Sequence, residues 1–251
     1  MTSKGDDQQR SVMLAADVGS YSTKTVALAV QMAASMNARL QGLFIEDEDL
    51  LQVTGLPITR EISLTTARER PTDVDQMQRS MRAVARQFED ALKREAGALR
   101  VGWSFNYVRG RVRDIGLEHG DEVTCMILGQ PVSHRLQSRP ERAPRRLLLI
   151  ANESQHQKQA LAVVLDRFSH ENVVLTLVEA KAGNKLTADI EHLKTDKPDR
   201  LKVNEIARDQ LLDQLARLGS GFDCAIISRH ENPEVLASIL KTLSCPVILV
   251  A

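Results

Sequence analysis

Ala27-Leu28-Ala29-Val30 recurs as Ala160-Leu161-Ala162-Val163. Nineteen residues after the first Ala of each stretch, an acidic residue closes an apolar run: Leu43-Phe44-Ile45-Glu46 in one place, Thr176-Leu177-Val178-Glu179 in the other. Upstream of each stands a further short apolar run, ended by Asp17 and by Asn152. Downstream, Cys125-Met126-Ile127-Leu128-Gly129 matches Cys224-Ala225-Ile226-Ile227-Ser228. Any single match is weak, but four elements in one order read as an internal duplication.

Working outward, each copy alternates short continuous apolar runs with segments of helical spacing. Runs of this kind are strands covered on both faces. In the first copy the strands are Val12–Ala16, Leu40–Ile45, Trp103–Val108 and Cys125–Leu128. A helix capped by Ser22 or Thr23 reaches about Asn37, with Val26, Ala29, Val30, Ala33 and Met36 on one stripe. A long helix covers Asp73–Leu99, and a short one Val112–Gly120. The second copy opens with a strand at Leu147–Ile150, a helix at Gln155–Phe168 and a strand at Val173–Val178. It continues with a weak helix at Thr187–Lys194, a short strand at Leu201–Val203 and a helix from Asn204 to Leu218. Then come strand Phe222–Ile227, helix Pro233–Leu243 and strand Pro246–Val250, the last a plausible edge for pairing. The pattern predicts parallel sheets with right-handed crossovers.

The domain boundaries follow: 11–130 for the first module, 131–146 for a linker and 147–251 for the second module. The linker holds five arginines, three prolines and one acid, and it gives the first module no equivalent of the second module's last helix and strand. Lys plus Arg equals Asp plus Glu, 33 each, so no global field draws the chain to nucleic acid or an anionic membrane. The polar stretch Met1–Arg10 lacks the apolar core of a secretory signal, and no run approaches the ~20 apolar residues that span a bilayer. A cytoplasmic protein is expected. Cys125, Cys224 and Cys245 have neither CxxC pairing nor zinc-ligand spacing and read as core residues.

The arrangement resembles the universal stress protein family in its tandem, two-module form. The resemblance rests on the first strand ending in Asp17, the small-polar turn to Ser22, the Ala-rich helix, and Arg39–Glu46. It continues through Val108-Arg109-Gly110-Arg111-Val112, Cys125–Gly129, Phe222–Ile227 and Cys245–Val250. The acidic stretch leading to Leu56-Pro57-Ile58-Thr59-Arg60-Glu61 looks like an insert after strand two. The resemblance implies two Rossmann-like open parallel sheets of the adenine nucleotide alpha hydrolase type, with helices on both faces. Members that bind ATP carry Gly-x2-Gly-x9-Gly-Ser/Thr after strand four, where glycines let amides approach phosphate. Here the second and third glycine positions are Val132 and Arg142, and the second copy runs Ser228-Arg229-His230-Glu231 with no later glycine. Glu231 would repel polyphosphate. A residual nucleotide site would use Asp17, Ser20 and Gly129 of the first copy.

Competing motifs are few. Asp17-Val18-Gly19-Ser20-Tyr21-Ser22-Thr23-Lys24 looks like the first phosphate loop of the actin–hexokinase ATPases, which a strand hairpin should follow; the spacing of Ala27–Ala38 predicts a helix instead. No nucleophile elbow, Walker loop, dinucleotide fingerprint or zincin motif occurs. His119, His134, His156, His170, His192 and His230 are scattered; His156 with Gln157 at a helix start could form a small polar site. Glu46-Asp47-Glu48-Asp49 could attract a divalent cation or simply start a helix. The expectation is a regulatory or scaffold protein, not an enzyme and without a cofactor. It would work through protein contacts and a small ligand in the crevice outside the strand carboxyl ends. The two modules would pair with each other or form a homodimer. The alternative is a nucleotide-binding stress protein, even a slow ATPase, with ATP in the first copy.

Overall fold

The computed structural model describes residues 10–62, 69–111, 114, 123–129, 144–151, 154–178, 190, 200–218 and 221–251. The proposed helices at Val112–Gly120 and Thr187–Lys194 fall largely outside them. So do Val132, Arg142, Asn152, Glu179, His119, His134, His192 and most of the linker.

The first half runs β1 (Ser11–Ala16), α1 (Thr23–Ser35), β2 (Arg39–Asp47), α2 (Glu48–Thr54), the hairpin β3 (Arg60–Ile62) and β4 (Glu69–Pro71), α3 (Val74–Leu99), β5 (Trp103–Gly110) and β6 (Cys125–Leu128). The second runs β7 (Arg145–Ile150), α4 (Gln155–Arg167), β8 (Val173–Val178), β9 (Leu201–Ile206), a 3-10 turn at 208–210, α5 (Leu211–Leu218), β10 (Cys224–Ser228), α6 (Pro233–Thr242) and β11 (Val247–Val250). The chain is α/β, as its alternating pattern predicts.

The two halves do not keep separate sheets. Nine strands form one sheet in the order β5-β2-β1-β6-β11-β10-β7-β8-β9. Neighbours are parallel throughout except at the centre, where β6 and β11 pair antiparallel from Leu128↔Val247 to Cys125↔Val250. Each half winds alike, with its third strand outermost, then its second, first and fourth. The position beside β6 that a fifth strand of the first half would take is filled by β11. The strand read as an exposed edge is therefore the middle of the sheet, and all four of its residues are buried. Among the described residues the sheet's edges are β5 and β9.

Both faces are covered. Alternate strand residues point to opposite sides, and the core divides accordingly. Leu14, Phe44, Ile127, Leu149 and Ile226 face α1, α3 and α4. Ala15, Met126, Leu148, Ile227 and Leu249 face α5 and α6. Helix starts are fixed locally, since Ser22, Asp73 and Asn232 each accept backbone amides of the first turn of α1, α3 and α6. Close packing of α3 on β2 requires Gly42, because a Cβ there would lie 2.1 Å from Leu92 Cδ1.

Three sequence boundaries move. Strand β7 starts at Arg145, inside the segment read as linker, because Arg145 pairs with Glu171 and Asp223 and its guanidinium lies over Phe168. Asn204–Ile206 extends β9 in register with Thr176–Val178 rather than opening a helix. Leu201 and Val203 pack on one core while Lys202 and Asn204 are exposed, as on a half-covered outer strand, and Ile206 packs against the other core. The acidic stretch after β2 forms α2 and is followed by a hairpin, elements that no apolar periodicity announced.

Candidate functional site

Asp17, Ser20 and Gly129 come together where β1 and β6 end. The Asp17 carboxylate accepts the amides of Gly19 (2.8 Å) and Ser20 (2.7 Å) through Oδ1. The Ser20 hydroxyl in turn accepts the Asp17 amide at 2.9 Å, and Tyr21 N donates to Asp17 O. Ser20 is buried. Gly129 sits directly against it, so that a Cβ at 129 would lie 2.9 Å from Ser20 O and 3.1 Å from Ser20 Oγ. The three residues named from the sequence do lie together. What it could not show is that they form a closed turn. The Gly19 and Ser20 amides, which could otherwise meet an anion at this strand end, already have a carboxylate for a partner. An incoming anion would have to displace Asp17, whose own charge opposes it.

At the neighbouring ends of β2 and β5 the acidic stretch is divided among separate tasks. Glu46 is buried, and its Oε2 accepts Arg109 Nε at 2.7 Å while Oε1 has no hydrogen-bond partner among the described residues. Asp47 caps α2 by accepting the amides of Asp49 and Leu50. Asp49 holds Arg111 at 2.9–3.0 Å. Of the two readings of Glu46–Asp49, the helix start is the one the structure shows. Arginines meet two of the carboxylates and a helix start a third, and no metal-capable cluster of His, Cys, Asp and Glu occurs among the described residues. Tyr107 stacks on Phe44 with ring centres 5.6 Å apart, and burial together with Glu46 raises its phenol above the ordinary value. Tyr107 carried no sequence signal and Arg109 was named only within the stretch Val108–Val112; their relation to Glu46 is set by strand register.

At the strand ends of the second half the described polar residues also find partners within the chain. Ser154 caps α4, and its hydroxyl donates to the Ala251 carbonyl. Gln157, fully buried, donates to Ile150 O at 2.7 Å. Arg208, after β9, pairs with the buried Glu231, after β10. Because β7 and β8 lie between those strands, the pair ties two loops across their carboxyl ends. Glu231 thus holds an arginine of its own chain. Arg208 was not singled out from the sequence, since an isolated arginine has no motif. His156 lies near Arg10 and Arg229. Burial, then Arg10 and Arg229, lower its pKa against a raising bond from Ala251.

Other residues the sequence set aside behave as read. Cys125, Cys224 and Cys245 are free and buried. Burial raises all three thiols, Cys224 to about 12, so thiolate chemistry is suppressed. Residues 23–35 form α1 where an actin–hexokinase loop would need a strand hairpin. A shallow apolar pocket lined by Leu165, Phe168, Val173 and Leu201 opens at the amino ends of β8 and β9, away from the crevice. No helix among the described residues is long and apolar enough to cross a membrane.

No family model matches the chain, and no curated protein matches it. Among solved structures it is similar to a universal stress protein from Archaeoglobus fulgidus DSM 4304, with 10% identity over 97% of each chain and a TM-score of 0.45. It is also similar to a putative universal stress protein from Pseudomonas aeruginosa UCBPP-PA14, with 11% identity over 96% of this chain and 93% of that one, at a TM-score of 0.40. A universal stress family protein from Burkholderia pseudomallei gives 14% identity over 80% of this chain and 98% of that one, at 0.25. The geometry above stands independently of these likenesses.

Proposed function

We propose that this chain is a tandem protein of the universal stress type that works as a non-catalytic regulatory or scaffold module, through contacts with other proteins. The duplicated sequence pattern and the like winding of the two halves support the tandem reading. The observation that carries the functional reading is the closed turn at Asp17. Its carboxylate takes the Gly19 and Ser20 amides at 2.8 and 2.7 Å, and Ser20 fills the space above Gly129. The Arg208–Glu231 pair across the second crevice supports the same reading. Binding energy in such a protein comes from surface contacts, and fold alone does not assign chemistry.

The alternative, a nucleotide-binding protein with one site at Asp17, Ser20 and Gly129, has a specific geometric basis, since those residues do converge. Titration calorimetry of the purified chain with ATP and Mg²⁺, repeated on Asp17→Ala, separates the two. Absence of saturable heat up to millimolar ATP is the expected result for both proteins. Saturable binding by the unmodified chain that Asp17→Ala abolishes would establish the alternative.

A further inference from the structure

The outer edge of β5 has the chemistry of a self-pairing surface. Leu40 N bonds Gly102 O, and carbonyl and amide directions alternate along a strand, so Gly102, Ser104, Asn106 and Val108 turn their backbone groups toward β2. The amides and carbonyls of Trp103, Phe105, Tyr107 and Arg109 therefore face outward, and no strand among the described residues pairs with them. The opposite edge, β9, is protected by Lys202 and Glu205. Strand β5 has no charged residue from Trp103 to Val108, and an edge of that kind invites another strand.

Its sequence matches itself. In an antiparallel pair centred on Asn106, each of the four outward residues meets another outward residue: Trp103 opposite Arg109, Phe105 opposite Tyr107. Both pairings are favourable, the first as a cation over an indole and the second as an aromatic pair. Asn106 faces Asn106 on the axis. A second observation points to the same side of the molecule. Among the described residues the exposed large hydrophobics are Val53, Leu56, Ile58, Ile62, Leu99 and Tyr107, all in the first half. They sit on the α2–hairpin insert, the end of α3 and β5 itself. The insert is tied to the end of β5 by Arg111 and Asp49. A twofold axis through Asn106 sets the carboxyl end of one β5 beside the amino end of the other. That brings the insert of one copy toward Leu99 of its partner.

We propose that two copies of this chain associate through antiparallel pairing of β5, joining two nine-stranded sheets into one. Asn106 is exposed, so charge can be placed on the axis without disturbing the core. Sedimentation equilibrium should show a dimer for the unmodified chain. Asn106→Lys and Asn106→Asp, each putting like charges face to face, should weaken self-association roughly tenfold or more. An equimolar mixture of the two variants should recover dimer at the unmodified level, which a folding defect could not do, and circular dichroism of each checks the fold directly. A monomeric unmodified chain across the concentration range overturns the proposal. So does a dimer that both variants leave intact, or variants that fail to complement.

Discussion

Gly129 is where a single atom decides the first crevice. A methyl group there would come within 2.9 Å of the Ser20 carbonyl, part of the backbone, which cannot rotate away as a side chain can. Gly129→Ala should destabilise the protein by about 1–3 kcal/mol, read from urea denaturation, as overpacking does. A change within a few tenths of a kcal/mol would show the turn to be looser than described. At His156 the folded protein disfavours the imidazolium through burial and two nearby arginines. The unfolded chain protonates near the ordinary value of about 6.5, so below that pH it takes up a proton the native state resists. Stability should therefore be full above that pH and decline as pH falls toward the lower folded pKa. His156→Gln should flatten that part of the pH–Tm curve, and an unchanged slope would remove His156 as its source. A shared site for Asp17, Ser20 and Gly129 was legible only through the resemblance to a family. Their closure was not, because it depends on where β6 places Gly129.

Among the elements, α3 and the loops around β9 and β10 show two kinds of control. The start of α3 is local: Asp73 accepts the amides of Asp75 and Gln76, and the helix begins at the next residue, Val74. The end of β9 is not local. Arg208 finds its partner in Glu231, whose carboxylate is almost wholly removed from water while the arginine stays partly exposed. Among the described residues, Arg208→Ala would leave that carboxylate with the Asn232 amide as its remaining side-chain hydrogen bond. The expected cost is roughly 1–3 kcal/mol in denaturant unfolding, and a neutral result would mean that water replaces the arginine without penalty. Strand β9 itself shows why its carboxyl end was misread. Asn204 and Glu205 are poor strand formers, and pairing with β8 overrides their propensity.

For the whole molecule, the β6–β11 seam makes two sequence units into one folding unit. Ile127, Met126, Ile248 and Leu249 are buried on both sides of it, so neither half can unfold without uncovering the other's central strand. Urea unfolding followed by fluorescence of Trp103, the single tryptophan and a first-half residue, should coincide with loss of circular dichroism from the whole chain. Two separated transitions would mean that the halves are independent despite the shared sheet.

The sequence by itself determined the α/β class, the order of the main strands and helices apart from α2 and the β3–β4 hairpin, and the starts of α1 near Ser22 and of α3 near Asp73. Those features are written in periods and turn residues a few positions apart. Only the tertiary structure decided that the sheets fuse, that β11 lies at the centre, that Glu231 is held by Arg208, and that Glu46 is buried against Arg109. An apolar run buried on both faces declares a strand without naming its neighbour. Pairing energy comes from contacts distant in sequence, and β11 presents the same run of Val, Ile and Leu whether it ends a sheet or joins two.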